Sequence, residues 1–121
     1  MLPGTAPSTG RILLVSSVAA FTGGVVGPHY AASKAALLGF MHSLAGALAP
    51  HGITVNALAP AMIAGGETLP GDLTQLQQYA AHIPVGRLGK PEEVAEAAFS
   101  LIANPFITAQ TLLIDGGLYP H

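Results

Sequence analysis

The sequence contains no cysteine and no tryptophan, and only 8% of its 121 residues are charged. Without cysteine the chain can form neither disulfide bonds nor thiolate metal sites. The five histidines are His29, His42, His51, His82 and His121. No two of them lie four residues apart on one predicted helix, so no zinc site is expected. With four basic and six acidic residues, the chain has no basic surface for a nucleic-acid backbone. We therefore expect neither metal nor nucleic acid as a partner.

Long apolar runs are also missing. The longest uncharged apolar segment, residues 35–49, is shorter than the roughly 20 residues that a membrane-spanning helix needs. Residues 1–10 are rich in Pro, Gly, Ser and Thr and lack the basic and apolar regions of a secretory signal peptide. These features predict one cytoplasmic domain, residues 1–121, without a membrane partner. Because so few charges are available to cover its surface, we also expect a homo-oligomer.

Three apolar runs rich in β-branched residues predict buried strands, at 11–15, 53–59 and 110–114. The segments between them predict helices at 29–49, 72–82 and 91–103, with Gly-rich loops at 19–27 and 61–71, the second of them mobile. Strand, helix, strand, two helices and strand is the order of an α/β fold. We therefore predict the last three strands of a doubly wound, Rossmann-type parallel sheet.

The predicted helix at 29–49 carries a single charge, on Lys34, and has apolar or small residues on every side. A helix that is apolar all round is buried all round. One face can pack on its own sheet, and we expect the other to pack against a partner helix. Residues Ala36, Phe40, Ser43 and Ala47 lie close to one line on that outer face.

Tyr30 and Lys34 are four residues apart and so share a face of this helix. An ammonium beside a phenol favours the phenolate and makes the phenol a usable proton donor or acceptor. Ser17 follows the first predicted strand, at the edge where open α/β sheets bind ligands. It has no GxSxG motif around it, which argues against a hydrolase triad. A tyrosine and a lysine at this spacing also occur together by chance, so the spacing alone leaves a structural role open.

Five segments match, in order, the motifs of one protein family. They are GRILLVSS at 10–17, YAASK at 30–34, GITVNALAP at 52–60, GRLGKPEEV at 86–94 and the segment from ITAQ to IDGG at 107–117. The first three resemble the short-chain dehydrogenase/reductase family. The last two are similar to its 3-oxoacyl-carrier-protein reductase branch.

The resemblance implies an NAD- or NADP-dependent enzyme that interconverts a carbonyl and a secondary alcohol on a small molecule. By this resemblance, Ser17 holds the substrate oxygen and Tyr30 gives or takes its proton. Lys34 tunes Tyr30 and, together with it, binds the nicotinamide ribose. Pro60 and the backbone of Ile63 flank the nicotinamide ring and its carboxamide. The cofactor itself carries the hydride.

The chain also departs from the family pattern. Ala61 replaces the glycine that usually follows Pro60, and Gly65 replaces a threonine. The family's first strand, its TGxxxGxG turn and its cofactor selector have no counterpart here, so the resemblance is to the C-terminal half only, and NAD cannot be told from NADP. A TGxxxG segment at 22–27 precedes Pro28, which has no N–H to offer a phosphate, so we interpret it as a flexible rim of the substrate cleft.

Two hypotheses follow. The first is an oxidoreductase, working as part of a longer polypeptide or with a complementing partner. The second is a non-catalytic fragment or pseudoenzyme that acts only through oligomer contacts. His29 beside Tyr30 is interpreted as an ordinary residue at a helix start, the Asp-Gly-Gly segment at 115–117 as a turn, and Gln75, Gln77 and Gln78 as a solvated helix face.

Overall fold

The three apolar runs form one parallel sheet. The computed structural model describes residues 10–65 and 71–120. Its strands are β1 (Gly10–Val15), β2 (Ile53–Pro60) and β3 (Thr111–Ile114), in the spatial order β1-β2-β3 with both pairings parallel. The central strand β2 is buried from residue 54 to residue 59. The predicted α/β fold with a parallel sheet is confirmed.

Of the four α-helices in the described residues, three lie where the sequence predicts them. They are α2 (Pro28–Leu48), α3 (Leu73–His82) and α4 (Pro91–Ala103). Helix α2 begins on a proline, whose missing N–H costs nothing in a first turn, and it continues into a 3₁₀ turn at Ala49–His51. Gly52, with a φ of 75°, closes that turn in the left-handed region that glycine tolerates. No helix in the described part of the chain is both long enough and apolar enough to cross a bilayer.

One local prediction needed correction. The segment 19–27 is not all loop, because it contains a short helix, α1 (Ala19–Thr22), which ends at Gly23 with a φ of 87°. Gln75, Gln77 and Gln78 are exposed on α3, as predicted. The Gln75 backbone N–H also donates to Asp72, and its side chain accepts from the Asp72 N–H. These two bonds form a capping box that begins α3.

The loop after β2 is partly ordered by pairing. Residues 61–65 include a bridge between Ile63 and Gly89, in which the Ala64 N–H donates to the Gly89 carbonyl (2.9 Å) and the Gly89 N–H donates to the Met62 carbonyl (2.9 Å). These two bonds attach the first residues of the loop to Gly89, and the expected mobility of the loop stays a prediction. Residues 66–70 lie outside the described part of the chain, as do residues 1–9, on which the prediction about a signal peptide rests.

The helices cover both faces of the sheet. On one face, Met41 and Ala45 of α2 pack against Val55 and Ala57 of β2, and Ile12 and Leu14 of β1 join this core. Successive strand residues point to opposite faces, so Arg11 points to the other side. There its guanidinium Nε donates to the carbonyl of Ile102 in α4 (2.7 Å). The result is three layers, with α2 and α4 on opposite sides of the sheet.

The outer face of α2 is uncovered. Phe40 is 55% exposed, and Ala36, Ser43 and Ala47 on the same line are exposed as well. The prediction that one face of the helix packs on its own sheet is confirmed, whereas burial all round is wrong for the single chain. The partner helix expected on the outer face stays a prediction.

Candidate active site

A cleft of about 500 Å³ opens at the carboxyl ends of β1 and β2. This volume lies within the range of small-molecule sites. The structure brings all five sequence-predicted residues to this one cleft; they are Ser17, Tyr30, Lys34, Pro60 and Ile63. Carboxyl ends of parallel strands meet at the same edge of a sheet, which explains why positions so far apart in sequence converge here.

Ser17 lies at the point where β1 gives way to α1. The residue is 8% exposed, and its hydroxyl oxygen accepts a hydrogen bond from the Ala19 backbone N–H (3.1 Å). A serine hydroxyl can accept and donate at the same time. Because the bond to Ala19 uses an acceptor position, the hydroxyl proton stays available for an oxygen atom in the cleft.

Tyr30 and Lys34 belong to the first turns of α2, and the predicted face-sharing is confirmed. The Lys34 ammonium lies 5.5 Å from the centre of the Tyr30 ring, within the range of a cation–π contact. The same ammonium donates to the Val15 carbonyl at the end of β1 (3.1 Å). This places a positive charge beside the phenol, where it can stabilise negative charge that develops in the cleft.

The segment from Pro60 to Ile63 forms another wall. The bridge to Gly89 uses the Met62 carbonyl and the Ala64 N–H. In this parallel bridge the bonds come from the two neighbours of Ile63, so the N–H and carbonyl of Ile63 itself take no part in the pairing with Gly89. Gly65, where the family usually has threonine, also lines the cleft, and apart from its chain neighbours no atom of the described residues lies within 4 Å of the place where its Cβ would be.

The TGxxxG segment contributes to the same cleft. Thr22, Gly24, Val25 and Val26 line it, in agreement with the predicted position of this segment on the rim. The Thr22 hydroxyl donates to the Val18 carbonyl (3.3 Å) and accepts from the Gly24 N–H (3.1 Å). Since these bonds occupy the hydroxyl, Thr22 acts as a local brace for the rim.

Most of the remaining wall is apolar. Val18, Val25, Val26, Met62, Val94 and Leu118 all line the cleft, and Lys34 is the single charged residue among its described lining residues. Charges act over a longer range where apolar side chains exclude water, so this wall strengthens the influence of Lys34.

Comparison with known proteins places this fold and cleft in a family. The family model described as enoyl-(acyl carrier protein) reductase matches residues 1–119. The chain belongs to the short-chain dehydrogenase/reductase family. Among curated relatives, it is 42% identical over 112 residues to the 3-oxoacyl-[acyl-carrier-protein] reductase FabG of Buchnera aphidicola, covering 91% of this chain and 46% of the relative. It is also 42% identical over 114 residues to an L-rhamnose 1-dehydrogenase (NADP(+)) of Thermoplasma acidophilum, covering 90% and 44%.

Solved structures agree. A 3-oxoacyl-[acyl-carrier protein] reductase from Brucella melitensis superposes with a TM-score of 0.85 at 40% identity, covering 93% of this chain and 43% of that one. A 3-hydroxyacyl-CoA dehydrogenase type-2 from Mycobacterium avium gives 0.86 at 31% identity, covering 99% and 47%. The chain therefore spans somewhat under half the length of the short-chain dehydrogenase/reductase relatives it matches.

The carboxyl-terminal turn of this family member helps to build the cleft, which the sequence argument missed. The Asp115 carboxylate accepts from the backbone N–H groups of Gly117 (3.0 Å) and Tyr119 (2.9 Å). The Tyr119 ring stacks on Phe21 of α1, with ring centres 5.3 Å apart. Asp115-Gly116-Gly117 is the turn that the sequence predicts, and it also carries Leu118 to the cleft wall. The sequence signal for this turn was an aspartate followed by two glycines, because an Asp side chain often accepts a hydrogen bond from the backbone N–H two residues later.

An ion pair between Arg87 and Glu93 stabilises the loop that carries Gly89. The Arg87 guanidinium makes two hydrogen bonds to the Glu93 carboxylate, each 2.8 Å long. Glu93 also accepts from the Lys90 backbone N–H (2.9 Å). The bonds from Arg87, followed by the one from Lys90, lower the pKa of Glu93 to about 2, and the hydrogen bond and charge of Glu93 raise the pKa of Arg87.

Proposed function

We propose that these residues carry the proton-transfer half of an NAD- or NADP-dependent oxidoreductase that interconverts a carbonyl and a secondary alcohol. The observation that carries the proposal is the convergence of Ser17, Tyr30 and Lys34 on one cleft at the carboxyl edge of the sheet. A hydroxyl donor, a phenol and an ammonium in one apolar cleft are suited to stabilising and protonating an alkoxide.

Each of these three groups has one role. The Ser17 hydroxyl donates a hydrogen bond to the substrate oxygen and holds it in place. During reduction, the Tyr30 phenol gives its proton to that oxygen as the carbonyl carbon gains a hydride, and the product is the alcohol. Lys34 stabilises the phenolate that remains, and the proton is then restored from solvent. Oxidation reverses these steps, with Tyr30 taking the proton.

The cleft also fits the nicotinamide end of the cofactor. Pro60 would lie against the ring, the N–H and carbonyl of Ile63 would pair with the carboxamide, and Tyr30 and Lys34 would bind the ribose hydroxyls. The open space beside Gly65 leaves room for a carboxamide where the family's threonine is missing. When bound, the nicotinamide supplies or accepts the hydride.

The apolar wall favours one substrate class over another. The relatives include reductases named for 3-oxoacyl groups and dehydrogenases named for rhamnose. A sugar would leave several hydroxyls facing Val18, Val25 and Val26, and unpaired polar groups against an apolar wall are costly. We therefore propose a small, neutral 3-oxoacyl-like compound whose apolar chain lies along this wall.

A second candidate function is structural. The exposed outer face of α2, centred on Phe40, is large and uncharged enough to support association without catalysis. In this alternative the chain is a non-catalytic member of the family that acts through homo-oligomer contacts. A cytoplasmic location remains the expectation for either function.

The test is an assay of a fusion protein. The chain is placed behind the amino-terminal half of the Buchnera aphidicola relative, which supplies the part that the match does not cover. Oxidation of NADH and of NADPH is followed with a short 3-oxoacyl thioester, and reduction of both nucleotides is followed with L-rhamnose. We expect turnover with the thioester and little with the sugar. A folded fusion that binds nucleotide but shows no turnover on either substrate would contradict the oxidoreductase and favour the structural alternative.

A further inference from the structure

Ser16 is a buried polar residue that the proposed reaction does not use. It is 2% exposed, and its backbone N–H donates to the Leu58 carbonyl in β2 (2.7 Å). Its hydroxyl donates to the backbone carbonyl of Lys34 (2.8 Å), eighteen residues further along the chain. The hydroxyl therefore joins the end of β1 to the second turn of α2.

Lys34 is attached to the same strand end a second time. Its ammonium donates to the carbonyl of Val15, the neighbour of Ser16 (3.1 Å). The two bonds run in opposite directions, one from the strand to the helix backbone and one from the lysine side chain to the strand. Together the two bonds hold both the backbone and the ammonium of Lys34 against the end of β1.

The two adjacent serines have different tasks. Both serines follow β1 and border the cleft, but their hydroxyls have different partners: that of Ser16 donates to the Lys34 carbonyl in α2, and that of Ser17 accepts from the Ala19 N–H. The first serine holds the helix that carries Tyr30 and Lys34, and the second faces the substrate.

We propose that Ser16 is a positioning residue for Lys34, and through it for Tyr30. The proposal rests on the proposed function, in which Lys34 must lie beside the phenol. The Ser16 hydroxyl fixes the helix backbone at Lys34, and this sets the direction from which the ammonium reaches the Val15 carbonyl and the Tyr30 ring.

The effect of this bond is on position more than on folding. Lys34 lies well inside α2, where a backbone carbonyl also accepts from the N–H four residues later. Removal of the Ser16 hydroxyl therefore leaves no unpaired carbonyl, and the fold should tolerate it. What is lost is the link between the strand and the catalytic turn of the helix.

The chain offers a direct readout of lysine position, because it contains only two lysines, Lys34 and Lys90. Lys90 is exposed and lies outside the cleft, so it is an internal reference. The full 121-residue chain is treated briefly with an N-hydroxysuccinimide acetate ester, and acetylation at each lysine is measured by mass spectrometry. This assay needs neither cofactor nor turnover.

Two variants remove the hydroxyl, Ser16→Ala and Ser16→Gly, and Ser16→Thr retains it. The matched control is Ser33→Ala: the Ser33 hydroxyl also donates to a carbonyl on this turn, that of Tyr30 (2.8 Å), but it is exposed and does not reach β1. Circular dichroism confirms that each variant is folded, and either hydroxyl-deleted variant alone is sufficient to decide.

The expected result is a rise of about fivefold in the labelling of Lys34 relative to Lys90 when the hydroxyl is removed, the factor that one hydrogen bond contributes to an equilibrium. Ser16→Thr should restore the parent ratio and Ser33→Ala should not change it. In the active fusion protein, Ser16→Ala should lower kcat more than it raises KM for the thioester.

An unchanged Lys34 ratio in folded Ser16→Ala or Ser16→Gly would overturn the proposal, as would an equal rise in Ser33→Ala. Loss of turnover in the parent fusion would instead contradict the proposed function and leave the labelling result valid.

Discussion

At the scale of single residues, the proposed chemistry depends on one cation in an apolar cleft. Lys34 is held by Val15 and lies over the Tyr30 ring, and no second charged residue among the described lining residues competes with it. The Ser17 hydroxyl has its acceptor side engaged and its proton available. The bond from Lys34 to Val15 joins residues 19 positions apart in the chain. The family motifs identified Ser17, Tyr30 and Lys34 from the sequence, but only the structure shows which atoms donate and which accept in their hydrogen bonds.

The residue-scale prediction concerns Glu93, whose pKa is lowered to about 2 by Arg87 and the Lys90 N–H. A carboxylate whose folded-state pKa lies below its unfolded value of 4.5 stabilises the fold above pH 4.5. That stabilisation should disappear as the pH falls from 4.5 towards 2. We expect Glu93→Gln to flatten this part of the stability profile, measured by urea unfolding at several pH values.

The control for this experiment is Glu92→Gln. Glu92 is the adjacent carboxylate in the same first turn of α4, and it has no salt bridge to Arg87. The Glu92→Gln variant should lose about as much stability between pH 4.5 and pH 2 as the parent chain does. Equal profiles for the parent and Glu93→Gln would show that the Arg87 pair contributes nothing to the fold.

At the scale of elements, α2 performs two tasks on two faces. Its inner face packs Met41 and Ala45 on the sheet and brings Tyr30 and Lys34 to the cleft. Its outer face is apolar and exposed around Phe40. The proline at its start and the left-handed Gly52 beyond its end limit its length, and the turn with Tyr30 and Lys34 lies at the carboxyl edge of the sheet.

The element-scale prediction is that the outer face of α2 mediates self-association. Phe40→Lys places a charge at the centre of this face and should weaken the dimer by about tenfold or more, because the burial of one aromatic side chain is lost. Sedimentation velocity across a concentration series measures the change. Leu73→Lys is the matched control, since Leu73 is an exposed apolar residue on α3. A parent chain that stays a folded monomer at micromolar concentration would contradict the prediction.

Elements with strong local signals were predictable from sequence, and contacts between elements were not. The limits of α2 and α4 follow from Pro28, Gly52 and Pro91, which mark helix ends by their own backbone preferences. Helix α1 has only four residues and no periodicity, and the N–H of its first residue, Ala19, donates to the Ser17 hydroxyl. The capping box of Asp72 and Gln75 had a readable D-x-x-Q signal. The bond from Ser16 to Lys34 had none, since packing of α2 on the sheet decides it.

At the scale of the whole molecule, the chain covers somewhat under half of its relatives' length. The described residues contain the cleft that we propose for the nicotinamide end of the cofactor, and among them we expect no cradle for its phosphates. The one glycine-rich candidate, at 22–27, has its threonine hydroxyl engaged and is followed by Pro28, which has no N–H. Phosphate sites in this kind of fold depend on free backbone N–H groups at a helix start.

The whole-molecule prediction is therefore weak nucleotide binding. The 121-residue chain alone should bind NADH and NADPH with a Kd of about 1 mM or weaker. Isothermal titration calorimetry measures it, and the fusion with the amino-terminal half of the Buchnera aphidicola relative is the comparison that should bind more tightly. Micromolar binding by the chain alone would mean that it holds the phosphates by itself.

The most direct test of the account is the loss of one phenol oxygen from the cleft. In the fusion protein, Tyr30→Phe should lower kcat with the 3-oxoacyl thioester by about 10²-fold or more, because the proton donor is removed. Tyr79→Phe removes the same atom from α3, outside the cleft, and should leave kcat within about twofold of the parent. Near-parent turnover in Tyr30→Phe would contradict the account and place the proton donor elsewhere.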